Sequence, residues 1–179
     1  MPKHLKKLSE EIIHTNPWWT CKHDVYEMPN GETGDYYYGE TPGNAMIIPV
    51  LADDKIALIL QFRYLQQKES IEFPCGGIRD GEAPIDTAKR ELLQETGYEA
   101  SDFIKIGTFQ ALNGMVLDEC HLFLAEATEQ RAQSPDASEE IEVIYRRPDE
   151  VEQMVQRNEI WDGQTLAAWA IARSHFFKQ

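Results

Sequence analysis

Runs of apolar residues in the first half of the chain have the length of buried strands. The stretches 45–51 and 56–62 are joined by Ala52-Asp53-Asp54-Lys55, a sequence typical of a hairpin turn. Upstream, the stretches 20–28 and 35–39 lie on either side of a Pro-Asn-Gly turn, and the second of them is rich in tyrosine. The pattern therefore predicts two hairpins, one after the other.

The first fifteen residues place apolar side chains at intervals that fit one side of a short helix. These side chains are Leu5, Leu8, Ile12 and Ile13. Asn16-Pro17 would end the helix, and the next strong break is Pro42-Gly43. We therefore expect an N-terminal helix and β-hairpin region over residues 1–43 and a larger domain over residues 44–179.

One segment in the middle of the chain has a clear helical pattern. In the stretch 84–95, Pro84 suits the first helical position, and Gly97 stands where a C-terminal cap belongs. The apolar stripe of this helix consists of Ile85, Ala88 and Leu92. The pattern predicts a helix with one buried face.

The rest of the chain mixes both kinds of element. Its patterns predict strands at 103–110, 121–126 and 141–145, a polar loop at 128–138, and closing helices at 149–156 and 162–178. Strands and helices alternate irregularly. This order favours the α+β class, with helices layered on a mixed sheet.

Composition and charge narrow the function. The 179 residues include 17 Lys and Arg against 31 Asp and Glu, which gives a formal net charge of −14. Such a chain lacks the basic surface that nucleic acids and anionic membranes require, so we expect neither as a partner. The three isolated cysteines indicate a reducing compartment, and no apolar run is long enough to cross a bilayer. The sequence predicts a cytoplasmic protein.

The helix at 84–95 also carries the chemistry. Glu91 and Glu95 are four residues apart, so their carboxylates project from the same face of the helix. Together they offer hard oxygen ligands that suit Mg²⁺, with Mn²⁺ as an alternative. Arg90 could hold one of the carboxylates in place. The alternative interpretation is an ordinary solvated face of a charged helix.

The spacing of the whole segment decides between these interpretations. The stretch 76–98 resembles the Nudix box, in which glycine, glutamate, arginine and aliphatic positions recur at fixed intervals. Seven residues match the box: Gly76, Glu82, Arg90, Glu91, Leu92, Glu95 and Gly97. Two residues depart from it, because Gln94 replaces a glutamate and Tyr98 replaces an aliphatic residue. The chain is identified as a member of the Nudix hydrolases, and residues 44–179 as a Nudix-type α/β/α sandwich.

The resemblance extends to one branch of that family, the ADP-ribose and nucleoside-diphosphate-sugar pyrophosphatases. Gln61-Phe62-Arg63 ends a strand as in that branch, and the stretch 71–76 is similar to its entry into the box, with Cys75 in place of alanine. Leu112-Asn113-Gly114 stands where the branch commonly has Ser-Pro-Gly. The resemblance implies a Mg²⁺-dependent enzyme that takes a small nucleoside diphosphate as its substrate.

The resemblance also implies a role for individual residues. Glu91 and Glu95 would bind the metal together with the backbone carbonyl of Cys75. Arg63 would bind a substrate phosphate, with Glu72 near the site.

A carboxylate on a later loop would activate the attacking water. The count along the chain gives Asp118, and its neighbour Glu119 is the commoner residue type for that role, so both remain candidates. Trp18 and Trp19 could stack on the nucleobase, or they could pack within the hairpin or a dimer interface. The branch often forms dimers through its N-terminal sheet, so we expect a homodimer.

Three functions remain open. The first is hydrolysis of an ADP-ribose-like substrate to a nucleoside monophosphate and a sugar phosphate. The second keeps the fold and acts on GDP-mannose or another nucleotide, since the Ser-Pro-Gly motif is absent. The third is a non-catalytic regulator that binds a nucleotide sugar, which the replacement at Gln94 would suit.

Overall fold

The computed structural model describes residues 4–135 and 140–177. The strands are β1 (Lys6–Thr15), β2 (Thr20–Glu27), β3 (Thr33–Glu40), β4 (Asn44–Val50), β5 (Ile56–Arg63), β6 (Lys68–Glu72), β7 (Cys75–Gly77), β8 (Tyr98–Phe109), β9 (Val116–Leu117), β10 (Cys120–Gln130) and β11 (Ile141–Arg146). The helices are α1 (Pro84–Glu91), α2 (Pro148–Gln156) and α3 (Gly163–Ala172).

Strand β4 lies at the centre of the fold. Its alternate side chains point to opposite faces of the sheet, as those of any strand do. Met46 and Ile48 belong to a core that includes residues of α2 and α3, whereas Ala45 and Ile47 belong to a core that includes residues of α1. Helices therefore cover both faces of the sheet, which confirms the predicted α+β sandwich.

The larger sheet has seven strands and is mixed. Its main order is β11-β5-β4-β10-β8, with β6 beside β5 and β7 beside β4. Strands β4 and β10 run parallel, and β7 runs antiparallel to β4 on its other side. Asn44, the first residue of β4, therefore has Cys120 opposite it on one strand and Gly77 on the other. This end of the sheet brings the glycine turn close to the loop that precedes β10.

The N-terminal residues do not form the predicted helix. They form β1, which pairs antiparallel with β2 in a sheet of order β1-β2-β3-β9. The register of β1 shifts between Lys7 and Ser9 and again between Ile12 and His14. These bulges break the alternation of a regular strand and leave the apolar residues at helix-like intervals, which is why the prediction was wrong. The division of the chain at residue 43 stays a prediction.

The central helix is not regular to its end. It begins at Pro84 as predicted, but after Glu91 the chain continues as a π-type turn over Leu92–Thr96. Gly97 ends the turn in the left-handed conformation with a φ of 75°. A Cβ atom there would lie 2.2 Å from the carbonyl oxygen of Arg131, so only glycine fits. The predicted cap at Gly97 is confirmed.

The predicted strands at 103–110, 121–126 and 141–145 and the two closing helices are present with shifted ends, whereas the short strands β6, β7 and β9 were not predicted. Strand β10 continues to Gln130, so the predicted loop at 128–138 was wrong for its first three residues, and its last residues lie outside the described part. The last helix ends at Ala172 and is followed by a 3₁₀ turn, Arg173–His175, while residue 178 is not described. Within residues 4–135 and 140–177, no helix is long and apolar enough to cross a membrane.

Candidate active site

An open cleft of about 810 Å³ lies where β4, β7 and α1 meet. The N-terminal region, the glycine turn and the loop before β10 all contribute to it. Its walls contain Trp18, Arg63, Glu72, Cys75, Gly76, Arg90, Glu91 and Asp118. Glu95 is 3% exposed and is hydrogen bonded to the backbone of the same turn. The structure thus brings together most of the residues that the sequence predicts for the site.

Glu91 reaches the glycine turn because Gly76 has no side chain. A Cβ atom on Gly76 would lie 1.9 Å from Oε1 of Glu91 and 2.1 Å from its Cδ. A glycine at this position of β7 therefore allows a carboxylate to lie directly against the backbone. This contact explains why the glycine at the start of the box matters.

Glu95 approaches the same turn from the adjacent part of the helix. Its Oε2 accepts a hydrogen bond of 3.0 Å from the backbone N–H of Cys75. Glu91 and Glu95 stand on either side of the change from α-helix to π-type turn, a feature that is frequent at functional sites. Both carboxylates consequently converge on residues 75 and 76.

The donor set suits a hard cation. Two carboxylates and the backbone carbonyl of Cys75 are oxygen ligands of the kind that Mg²⁺ prefers, and Mg²⁺ keeps several waters rather than requiring a full protein cage. Among the described residues, no three His, Cys, Asp or Glu side chains form a ready ligand cluster. A metal bound here would therefore depend on the carbonyl and on water as well as on Glu91 and Glu95.

Arg90 holds the surrounding carboxylates in place. Its guanidinium donates to both oxygens of Glu82, each at 3.0 Å, and to Oε1 of Glu91. The bond from Arg90 is the main reason why the pKa of Glu82 falls to about 2, and Thr87 adds a further donor. The same partner raises the pKa of Arg90. The predicted role of Arg90, to orient a carboxylate, agrees with these contacts.

Gln94 also binds Arg90. Its Oε1 accepts a hydrogen bond of 3.1 Å from Nη1 of Arg90. The residue that departs from the box therefore takes part in orienting the arginine that holds Glu91. Gln94 carries no charge where the box has a glutamate, but it still contacts Arg90.

Arg63 and Glu72 form an ion pair at one side of the cleft. Nε of Arg63 donates to Oε1 of Glu72 at 2.7 Å, and Nη2 donates to Oε2. Glu72 is 2% exposed and also accepts from Gln61, whereas the Arg63 side chain is 45% exposed. The bonds to Glu72 raise the pKa of Arg63. A buried carboxylate thus fixes the direction of a guanidinium that lines the cleft.

The two candidates for the loop carboxylate differ in position. Asp118 lines the cleft, where its Oδ1 accepts from the hydroxyl of Thr41 at 3.0 Å. Glu119 is exposed, and its carboxylate lies 3.4 Å from Nε2 of His121. Of the two, only Asp118 lines the cleft. The geometry favours Asp118.

The two tryptophans also differ. Trp18 lines the cleft and is 77% exposed, whereas Trp19 is half-exposed and packs near His14 with their ring centroids 5.9 Å apart. Asn16 accepts hydrogen bonds from the backbone N–H groups of both tryptophans. The structure therefore places Trp18, and not Trp19, where a bound base could stack.

Two residues have structural roles rather than reactive ones. The Cys120 thiol, through a hydrogen bond, and burial together raise the pKa of the Cys75 thiol, which leaves it a weak nucleophile. Burial and the neighbouring Lys105 lower the pKa of His121, whose Nδ1 accepts from that lysine at 3.0 Å. His121 is therefore a hydrogen-bonded residue of β10.

Comparison with known proteins gives the family. The NUDIX domain model matches residues 40–169, which is most of the chain. The chain belongs to the Nudix family. The match confirms the prediction from the box at 76–98 and, with the relatives below, the prediction of a Nudix pyrophosphohydrolase.

Relatives of this Nudix chain differ in their described functions. An ADP-ribose pyrophosphatase of Bacillus subtilis is 31% identical over 171 residues, covering 92% of each chain. A methanol dehydrogenase activator of Bacillus methanolicus is also 31% identical, covering 91% of this chain and 89% of its own. A solved structure of an ADP compounds hydrolase has a TM-score of 0.84 at 18% identity and covers 97% of this chain and 94% of that one. This last match confirms the fold.

Sequence reasoning missed several residues of the cleft. Thr41 and Asn44 contact Asp118, and Asp162 and Gln164 line the cleft at the start of α3. The only signal for Asn44 was a polar residue at the start of an otherwise apolar strand. Asp162 carried a clearer signal, because Asp before a helical pattern predicts an N-cap, and its carboxylate does accept from Thr165 N at 2.7 Å.

Proposed function

We propose that this Nudix protein is a Mg²⁺-dependent pyrophosphatase of nucleoside diphosphates linked to a sugar, with an ADP-ribose-like substrate. The products would be a nucleoside monophosphate and a sugar phosphate. The observation that carries the proposal is the convergence of Glu91 and Glu95 on the backbone of residues 75 and 76 at one cleft. The B. subtilis relative supports the choice of substrate.

Glu91, Glu95 and the carbonyl of Cys75 would hold the metal. When bound, Mg²⁺ supplies positive charge that polarises phosphoryl oxygens and favours ionisation of water. Arg90 keeps the Glu91 carboxylate oriented through its own contacts to Glu82 and Gln94. The protein's contribution is thus a set of oxygens whose positions are fixed before substrate binds.

Arg63 binds the diphosphate. Glu72 already aligns its guanidinium, so little side-chain freedom is lost when the phosphate arrives. The guanidinium fork matches phosphate geometry better than an ammonium group does. Binding at Arg63 would set the phosphorus at a fixed distance from the carboxylates across the cleft.

Asp118 accepts the proton of the attacking water. The water oxygen forms a bond to one phosphorus, the bond from that phosphorus to the bridging oxygen breaks, and the proton passes to the Asp118 carboxylate. The bridging oxygen leaves with the other phosphate. Trp18 would stack on the base, since it is the exposed aromatic residue at the edge of the cleft.

Two other functions fit the same cleft. GDP-mannose or another nucleotide would use the same carboxylates, and Asn113-Gly114 in place of Pro-Gly is the feature that favours such a shift. A regulator that binds without turnover is the other, and the relative described as a methanol dehydrogenase activator supports a regulatory role. Product analysis on ADP-ribose, GDP-mannose and a nucleoside triphosphate separates the three.

The protein would act as a cytoplasmic homodimer. The edge strand β1 leaves Leu8, Ile12 and Ile13 each about half exposed, and an apolar edge of this kind is usually covered by a partner strand or surface. A second copy of the chain is the simplest partner. A light-scattering mass of twice 20.6 kDa supports the dimer, and a monomer mass at micromolar concentration contradicts it.

The test of the activity is the double variant Glu91→Gln and Glu95→Gln. Each substitution keeps the shape of the side chain and removes its charge, so AMP release from ADP-ribose should fall at least about 1,000-fold, a loss of about 4 kcal/mol of transition-state stabilisation. The matched control is Glu126→Gln, an exposed residue of β10 outside the cleft, which should keep the wild-type rate. Full activity in the double variant would contradict the proposal.

A further inference from the structure

Both oxygens of the Asp118 carboxylate accept hydrogen bonds from side chains far away in the sequence. Oδ1 accepts from the Thr41 hydroxyl at 3.0 Å, and Oδ2 accepts from the Asn44 amide nitrogen at 3.3 Å. Thr41 directly follows β3, and Asn44 begins β4. The segment between these two strands therefore holds the carboxylate from both sides.

The backbone determines which way the Thr41 bond runs. The N–H of Gly43 donates to the Thr41 oxygen at 3.0 Å. A hydroxyl has a single proton, and here its oxygen is already accepting from Gly43, so that proton is directed to Asp118. The turn requires glycine at position 43 for two reasons. Its φ is 92°, and a Cβ atom there would lie 2.7 Å from the carbonyl oxygen of Glu119.

The Asp118 carboxylate determines the orientation of the Asn44 amide. Oδ1 of Asn44 lies 3.7 Å from the Cys75 sulfur, a hydrogen-bond distance for a thiol donor, and its Nδ2 faces Asp118. The opposite orientation would place the amide oxygen against a carboxylate. The Asn44 side chain thus links Cys75, whose carbonyl would bind the metal, with the Asp118 carboxylate.

The backbone of Asn44 strengthens this connection. Its N–H donates to the carbonyl of Glu119 at 3.0 Å, and the residue pairs with Gly77 on β7 and with Cys120 on β10. Asn44 is therefore fixed to both halves of the cleft through main chain and side chain. Any movement of the loop that carries Asp118 must break several of these contacts.

We propose that Thr41 and Asn44 are positioning residues that set Asp118 relative to the glycine turn. The proposal rests on the proposed function, in which Asp118 takes the proton of the attacking water. The two donors fix the carboxylate in one rotamer, so that its reach to a water in the cleft does not depend on side-chain motion. Neither Thr41 nor Asn44 needs to touch the substrate for this role.

The experiment compares three variants of the full chain with the wild type, on ADP-ribose with Mg²⁺. Thr41→Val keeps the shape and removes the hydroxyl, and Asn44→Leu keeps the branched shape and removes the amide. Each should lower kcat about 10-fold with KM changed less than about two-fold, because a donor that orients the carboxylate acts on the chemical step. Thr41→Ser restores the donor and should recover most of the rate. Melting temperatures identify losses that come from unfolding, and Asn44→Ser replaces Asn44→Leu if the latter does not fold.

A double-variant cycle separates positioning from a general structural role. If Thr41 acts through Asp118, then adding Thr41→Val to Asp118→Ala should slow the reaction no further. Two outcomes would overturn the inference and leave the proposed function intact. The first is that the losses from Thr41→Val and Asp118→Ala are additive. The second is that Thr41→Val and Asn44→Leu both keep the wild-type kcat while Asp118→Ala is nearly inactive. Full activity in Asp118→Ala would overturn both.

Discussion

The contact between Gly76 and Glu91 makes Gly76→Ala the most informative single substitution. The added methyl carbon would lie 1.9 Å from Oε1 of Glu91, whereas ordinary contact begins at 3.4 Å. The carboxylate must therefore move by about 1.5 Å. A displacement of about 1 Å at a catalytic group costs on the order of 100-fold in rate, which corresponds to about 2.7 kcal/mol of transition-state stabilisation.

The fold should survive this substitution. The clash is with the end of a flexible side chain, and the backbone at Gly76 is not in the left-handed region, so alanine adds no backbone strain. We expect kcat/KM for ADP-ribose to fall about 100-fold or more while the melting temperature stays within a few degrees of the wild type.

The neighbouring Gly77→Ala is the matched comparison. A Cβ atom on Gly77 meets nothing within 4 Å, so the loss of activity should be far smaller than for Gly76→Ala. Initial rates of AMP release, with melting curves for each variant, make the comparison. Equal rates for the Gly76→Ala and wild-type proteins would refute the account of why Glu91 lies against the turn.

Three further predictions concern stability and binding. The pKa of Glu82 is about 2 instead of 4.5, so its ionised form stabilises the fold fully above pH 4.5, and this stability is lost as the pH falls toward 2. Urea midpoints measured against pH should show the loss, and the loss should be smaller in Glu82→Gln. Arg63→Met leaves buried Glu72 without its ion pair, so it should cost about 1–3 kcal/mol in denaturant unfolding and raise KM at least several-fold. Gly97→Ala should lower the free energy of unfolding by more than about 1 kcal/mol, because position 97 has a φ of 75° and a Cβ atom there would lie 2.2 Å from a carbonyl oxygen. A melting temperature equal to that of the wild type would contradict this.

The sequence was sufficient where the chemistry lies within one helix. Glu91, Glu95 and Arg90 lie within six consecutive residues, and helical geometry alone places their side chains near one another. It also identified β4 and β5, whose continuous apolar runs have the length of buried strands. It failed at β1, because two bulges hid the period of the strand.

Contacts between distant parts of the chain could not be predicted in this way. Asp118 is 77 residues from Thr41 and 74 from Asn44, and no local pattern relates them. The choice between Asp118 and Glu119 needed the direction of each side chain in the loop before β10, which only the fold provides. Gln94 was recognised as a departure from the box, but its bond to Arg90 became visible only in the structure.

The rate of AMP release from ADP-ribose as a function of Mg²⁺ concentration tests the central claim most directly. We expect no turnover in EDTA, a saturable rise with Mg²⁺, and a much weaker dependence on Mg²⁺ when Glu91 and Glu95 are both changed to glutamine. Equal rates with and without the metal would contradict the site described here. Ligand binding without turnover of ADP-ribose, GDP-mannose or a nucleoside triphosphate at any Mg²⁺ concentration would contradict the proposal that this protein is a hydrolase.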